Sequence, residues 1–164
     1  MRVLGIDPGL ATMGWGVVDA GQSRHSFVAC GVISTKPNIR FQERLILIKK
    51  AICDILNEYK PDEIVFEELF FSKNVTTALT VGAARGVAIT ACADYTPMLY
   101  EYTPMQIKQG ITGYGHADKK QVQQMVAMIL SLSDIPKPDD AADAVAAAVT
   151  HLNTGSNKFQ FRMK

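Results

Sequence analysis

MRVLGIDPGLATMGWGVV, residues 1–18, decides the fold: an apolar run from Val3 to Ile6 ends in a lone carboxylate, Asp7, and Pro8-Gly9 follows at once. The run is short and partly β-branched, and neither Pro8 nor Gly9 continues a strand, so a buried strand is predicted to end at Asp7 with its acid at the exposed tip. Gly14-Trp15-Gly16-Val17-Val18 reads as a second strand returning antiparallel, with residues 8–13 as the loop. Taken alone, Asp7 has two readings. Asp-Pro-Gly ordinarily caps a turn, whereas a functional acid requires more carboxylates arriving at the same strand end.

Working outward, residues 26–35 (SFVACGVIST) are β-branched and small apolar and give a third strand. Over residues 40–59 the apolar positions Phe41, Leu45, Ile48, Ile52, Ile55, Leu56 and Tyr59 follow helical spacing, with Pro61 as the stop. Residues 63–66 (EIVF) form a fourth strand running straight into Glu67 and Glu68. Residues 75–95 read as a helix lined with Ala78, Gly82, Ala83, Gly86 and Ala91, a surface for close approach to the sheet or to a second copy of the chain. Residues 97–102 give a fifth strand, and a brief helix follows from Thr103-Pro104 to Ile111. After a glycine-containing loop, Asp118 and Gln121 make a capping box for a helix to about Leu132. Residues 139–152 (DDAADAVAAAVTHL) form a final Ala-rich helix, and residues 153–164, with Lys158, Arg162 and Lys164, read as a flexible basic tail. The pattern predicts one α/β domain over residues 1–152 with a mixed five-stranded sheet, antiparallel at first and parallel afterwards.

Composition narrows the class. The chain has 164 residues, 48% of them apolar, enough for one core of ordinary size. Seventeen basic residues against 16 acidic give a formal charge of +1, so any nucleic-acid affinity has to come from local clustering. Cys30, Cys53 and Cys92 are odd in number, far apart and set in apolar runs, which argues for reduced core thiols and a cytoplasmic location. No signal peptide is expected. The low-charge run at residues 75–93 contains Arg85 and is dominated by Ala, Thr and Gly, too weakly apolar for a membrane span.

The second reading of Asp7 gains weight from the acids elsewhere. Asp140 and Asp143 are three apart on the final helix and share a face in its first turns, where the helix dipole favours negative charge. Docking of that helix beside the first and fourth strands would bring Asp7, Glu67 and this pair together. Such a set cannot stay ionised without cations, and hard oxygen donors suit magnesium or manganese. Two such ions roughly 4 Å apart activate a water and stabilise the leaving oxygen in phosphodiester cleavage. Glu67 and Glu68 point to opposite sheet faces, and only one can join Asp7. Asp139, four residues before Asp143, competes with Asp140 for the same face.

These residues, together with GIDPG and GWGVV at the start, EELFFSKN, ARGVAI, QIKQGITGYGHADKKQVQ and DDAADAVAAAVTH, resemble the RuvC family of Holliday-junction resolvases over nearly the whole chain. The resemblance implies a ribonuclease-H-like fold, with the family's four acids at Asp7, Glu67, Asp140 and Asp143. It implies two Mg2+ ions per site, with Mn2+ substituting, and a homodimer that nicks four-way junction DNA symmetrically. The RuvA-RuvB branch-migration complex is the implied partner. Phe70 matches an aromatic suited to stacking on a base, though core packing is an alternative. Lys108 and Lys119 match lysines near the scissile phosphate. Lys73, Arg85, Lys120 and Lys137 are further candidates for phosphate contact, Arg85 alternatively for packing at the dimer surface. His116 reads as a solvated loop residue and His151 as structural.

Two other classes compete. A catalytically inactive junction-binding scaffold on the same fold has no reason to keep four mutually repelling acids. An actin-like phosphotransferase, suggested by GIDPG as a phosphate loop, needs a second similar domain, and the chain has no internal repeat.

Overall fold

Period-2 alternation divides the sheet residues between two cores, and the division places the acids. The computed structural model describes residues 1–69 and 75–164. Strands β1 (Arg2–Asp7), β2 (Thr12–Asp19), β3 (Ser26–Ser34), β4 (Glu63–Glu67) and β5 (Leu99–Tyr102) form one sheet in the order β3-β2-β1-β4-β5. β2 is antiparallel to both β1 and β3, while β4 runs parallel to β1 and β5 parallel to β4. The C-terminal ends of β3, β1, β4 and β5 therefore share one edge.

Leu4, Ile6, Met13, Val17, Ile64 and Phe66 face one core, formed with α1 (Phe41–Tyr59) and α2 (Val75–Tyr95). Val3, Val18, Val65 and Tyr100 face the other, formed with α3 (Pro104–Thr112), α4 (Lys119–Ile129) and α5 (Asp139–Thr154). By the same alternation Asp7 and Glu67 fall on the α5 side.

α5 is almost wholly buried from Ala141 to Leu152, apart from Asp143, and can be so because the sheet beneath it is stripped of side chains. A Cβ on Gly5 would overlap the Ala144 carbonyl, one on Gly14 the Asp140 carbonyl, and one on Gly16 the backbone and side chain of Val145. Glycine in a strand interior allows another backbone to approach closely. This floor, with the small Ala side chains above it, lets the helix lie directly on β1 and β2.

The expected elements are present, with shifts at their ends. α2 has the predicted bounds, and the Asp118–Gln121 capping box at α4 forms reciprocally. α4 stops at Ile129 because Ser131 turns with φ 53° and the Leu132 N–H donates to the Ala127 carbonyl. Against the expectation of a tail from residue 153, α5 continues to Thr154 and a 3₁₀ segment, Gly155–Phe161, packs back on the sheet. Phe161 stacks on Tyr102, the Met163 N–H donates to the Leu99 carbonyl, and Arg162 bridges to Tyr100. The three cysteines are free thiols, and burial pushes Cys92 up to about 12. Among the described residues no helix is long and apolar enough to cross a membrane.

Candidate active site

Three elements position the four acids. Asp7 ends β1 opposite Gly14 of β2, and Glu67 ends β4, the strand directly beside β1. The seat of α5 on Gly14 brings Asp140 to the same corner, and Asp143 follows one turn later. Glu68, on the opposite alternation from Glu67, is exposed. Asp139 is exposed as well and bonded by Gln123 Nε2 at 3.1 Å, whereas Asp140 is half-buried and its charge acts on Asp7. Both sequence ambiguities therefore have a structural preference, for Glu67 and for Asp140.

The electrostatics report the convergence. Burial, then the charges of Asp143 and Asp140, push the Asp7 carboxyl up to about 7, against the opposing pull of Lys119. Burial, then Asp7 and Asp143, push Glu67 up to about 8, opposed by Lys119 and Lys108. Asp143 is also raised by burial, although Lys119 Nζ donates to its Oδ2 at 2.8 Å and opposes the shift. Carboxyls pushed up by burial and by one another's charge are a site short of positive charge.

Glu67, Lys108, Lys119 and Asp143 line a cleft of about 220 Å³, closed on its apolar side by Pro104, Ile107, Val122 and Ala146. Among the described residues no three Asp, Glu, His or Cys side chains gather closely enough to hold one ion between them. The donor set still fits magnesium, which keeps several waters and is bound by one or two carboxylates together with substrate phosphate oxygens. Lys119 meanwhile supplies part of the missing charge, reaching Asp139 at 3.6 Å as well as Asp143.

The remaining candidates are dispersed. Lys120 and Lys137 are exposed. Arg85 is committed to Glu101 at 2.6 Å. Phe70 and Lys73 lie outside the described residues. His116 is exposed against the edge of Tyr114, and His151 is fully buried.

Comparison with known proteins decides the family. The profile described as Crossover junction endodeoxyribonuclease RuvC matches residues 3–151. The chain belongs to the RuvC family. The RuvC of Alkaliphilus oremlandii is 48% identical over 164 residues, covering 100% of both chains. The Thermus thermophilus RuvC structure superposes with a TM-score of 0.88 at 35% identity, covering 98% of each chain, which makes the fold ribonuclease-H-like. A second Thermus RuvC structure, in complex with Holliday junction substrate, gives a TM-score of 0.87 at 38% identity over 92% of each chain.

Two features of this RuvC family member escaped the sequence reading. The glycine floor had a signal, since Gly5, Gly14 and Gly16 all fall on one face of adjacent strands. The other feature is a buried network remote from the cleft. Glu63, at the start of β4, accepts from Lys158 Nζ at 2.6 and 2.7 Å and from His151 Nε2 at 2.7 Å, while Tyr102 Oη lies 3.0 Å from His151 Nδ1. Against the cost of burial, the bonds from Lys158 and His151 hold Glu63 below the usual carboxylate range, and burial keeps His151 neutral. With Glu63 ionised, His151 Nε2 is the donor and Nδ1 accepts the Tyr102 hydroxyl.

Proposed function

We propose that this chain is a cytoplasmic, metal-dependent endonuclease that resolves four-way DNA junctions in recombination and repair by paired, symmetric phosphodiester hydrolysis. The observation that carries the reading is the meeting of Asp7, Glu67, Asp140 and Asp143 at one sheet corner, where burial first, and then the neighbouring carboxylates, push Asp7 and Glu67 upward. Magnesium, or manganese in its place, would be held as two ions by these four acids, and supplies activation of a water and stabilisation of the leaving oxygen.

The chain's own residues do the rest. β1 and β4 hold Asp7 and Glu67 on adjacent strands, so their separation is fixed by the sheet. The glycine floor sets the distance of Asp140 and Asp143 from that pair. Lys108 and Lys119 sit in the cleft wall, where an ammonium stabilises the charge developing on a phosphate. Lys119, bonded to Asp143, opposes the upward push of burial on that carboxyl and holds it beside the cleft. Lys73, Lys120 and Lys137 add phosphate contacts around the site, and Phe70 stacks on a base at the opened crossover.

Paired nicking calls for two copies related by two-fold symmetry. The outward face of α2 suits that contact: Gly82 and Gly86 have open space where a Cβ would be, and Leu79 is 72% exposed. RuvA-RuvB is the proposed partner in the cell. The scaffold alternative has no observation in its favour.

Replacing Asp7 by Asn and assaying nicking of a synthetic four-way junction tests the mechanism. Loss of nicking with junction binding intact is expected; cleavage that persists would sink it.

A further inference from the structure

The connection between β3 and α1, residues 35–40, meets the sheet at the same edge as the acids, because β3 and β1 are both antiparallel to β2. It is pinned there. The Thr35 N–H donates to the Ala11 carbonyl at 3.0 Å, the Thr35 hydroxyl donates to the Leu10 carbonyl, and Arg44 Nε donates to Thr35 Oγ1 at 2.8 Å. Leu10 and Ala11 belong to the loop that follows Asp7, so this elbow and the first acid share one hydrogen-bonded frame.

Lys36 and Arg40 stand on that frame, and both are exposed. Among the described residues Lys36 forms no ion pair, and Arg40 approaches only Glu43, at 4.0 Å. Glu43 is the sole acid between Thr35 and Lys50, a stretch that also carries Lys36, Arg40, Arg44 and Lys49. Arg44 is occupied by Thr35, and Lys49 lies about 13 Å along α1 from Arg40 at 1.5 Å per residue. Lys36 and Arg40 are thus the cations of this stretch available at the catalytic edge.

Their placement complements that of the lysines already described. Neighbouring strands are about 4.8 Å apart. β3 lies two strands from β1 on one side, and β5, which leads into the helix carrying Lys108, lies two strands away on the other. The end of β3, from which Lys36 and Arg40 follow, is therefore about 10 Å along the edge from the end of β1, whereas Lys108 and Lys119 line the cleft itself on the other flank. One DNA strand advances about 3.4 Å per nucleotide along the helix axis, so 10 Å corresponds to about three nucleotides. Contacts on one flank alone leave an arm free to pivot about them, whereas contacts on both flanks fix its register, the usual work of phosphate contacts.

We propose that Lys36 and Arg40 bind the phosphate backbone of the cleaved arm about three nucleotides from the scissile bond, on the far side of the acids from Lys108 and Lys119. This rests on the nuclease reading above.

The test measures affinity for a synthetic four-way junction between about 50 and 200 mM salt, with cleavage abolished by Asp7→Asn in every protein compared. Each phosphate contact removed lowers the slope of log affinity against log salt by about 0.9. Adding Lys36→Gln and Arg40→Gln together is expected to flatten the slope by about 2 for each protomer engaged. Arg24→Gln, in the exposed turn at the opposite end of the sheet, is expected to leave it unchanged. An unaltered slope in the double variant, or equal flattening by Arg24→Gln, overturns the inference while leaving the nuclease reading intact. A parent protein that fails to bind the junction, or binds with no salt dependence, overturns the nuclease reading itself.

Discussion

Gly14→Ala is the sharpest perturbation this structure offers. The added methyl would fall on the carbonyl of Asp140, with the Ala141 nitrogen at 3.1 Å. These are backbone atoms of a helix, so no rotamer change relieves the overlap, and α5 has to retreat by about an ångström. Overpacking of this kind costs about 1–3 kcal/mol. A residue other than glycine in a strand recovers about 0.5–1 kcal/mol of that, leaving a net loss of about 1–2 kcal/mol. In a chain of this size the melting temperature should fall by about 2–8 °C. The retreat also carries Asp140 and Asp143 away from Asp7 and Glu67, and a misplacement of about 1 Å can cost about 100-fold in rate. Thermal melting and single-turnover nicking of a four-way junction measure the two effects side by side. A Gly14→Ala protein that melts and nicks like its parent would refute the idea that the glycine floor sets the distance between the acids.

Three other outcomes are expected. In EDTA, Asp7→Asn should stabilise the protein at pH 8. The folded carboxyl titrates near 7 against an ordinary 3.8, so wild-type stability is full below about pH 4 and is lost as pH rises toward 7. The displacement is worth up to about 4 kcal/mol, and screening by water in the open cleft leaves about 2 kcal/mol; urea midpoints that show the same gain at pH 4 and pH 8 would contradict the assignment. Lys158→Met should cost about 2–3 kcal/mol at pH 8 by leaving the Glu63 carboxylate short of a partner. The loss should shrink near pH 6, where His151 can take up a proton in compensation, and melts at the two pH values check the difference. Gly86→Arg should leave the monomer folded, since nothing lies within 4 Å of the site. It should halve the mass seen by light scattering and turn paired nicks into single ones; a dimer that persists would move the proposed interface elsewhere.

What the sequence made legible was local or periodic. The helix over Val75–Tyr95, the Asp118–Gln121 cap and the alternation that buries Leu4 and Ile6 are all written in near neighbours. Asp7 and Glu67 could be named as candidates because each ends a strand, and Asp140 and Asp143 because they share a face in the first turns of α5. Choosing Glu67 over Glu68 by geometry required knowing which sheet face α5 covers, a fact held in Gly5, Gly14 and Gly16 together. The C-terminal segment was illegible for a different reason. Residues 153–164 have no period of their own, and what fixes them is distant: Glu63 for Lys158, Tyr102 for Phe161 and Leu99 for Met163. Glu63 likewise looked like an ordinary first residue of a strand until its partners arrived from the other end of the chain.

The seat of α5 on β1 and β2 also has a consequence for biosynthesis. Asp7 and Glu67 leave the ribosome well before Asp140 and Asp143, so the nascent chain carries half of its acid set before the other half exists. Until α5 arrives, Val3, Gly5 and the same face of β2 have nothing to pack against, and the sheet cannot close on that side. Chains dominated by such distant pairings fold late and slowly. Assembly of the four acids is thereby deferred until α5 has been made, and the helix that covers this face of the sheet also completes the set.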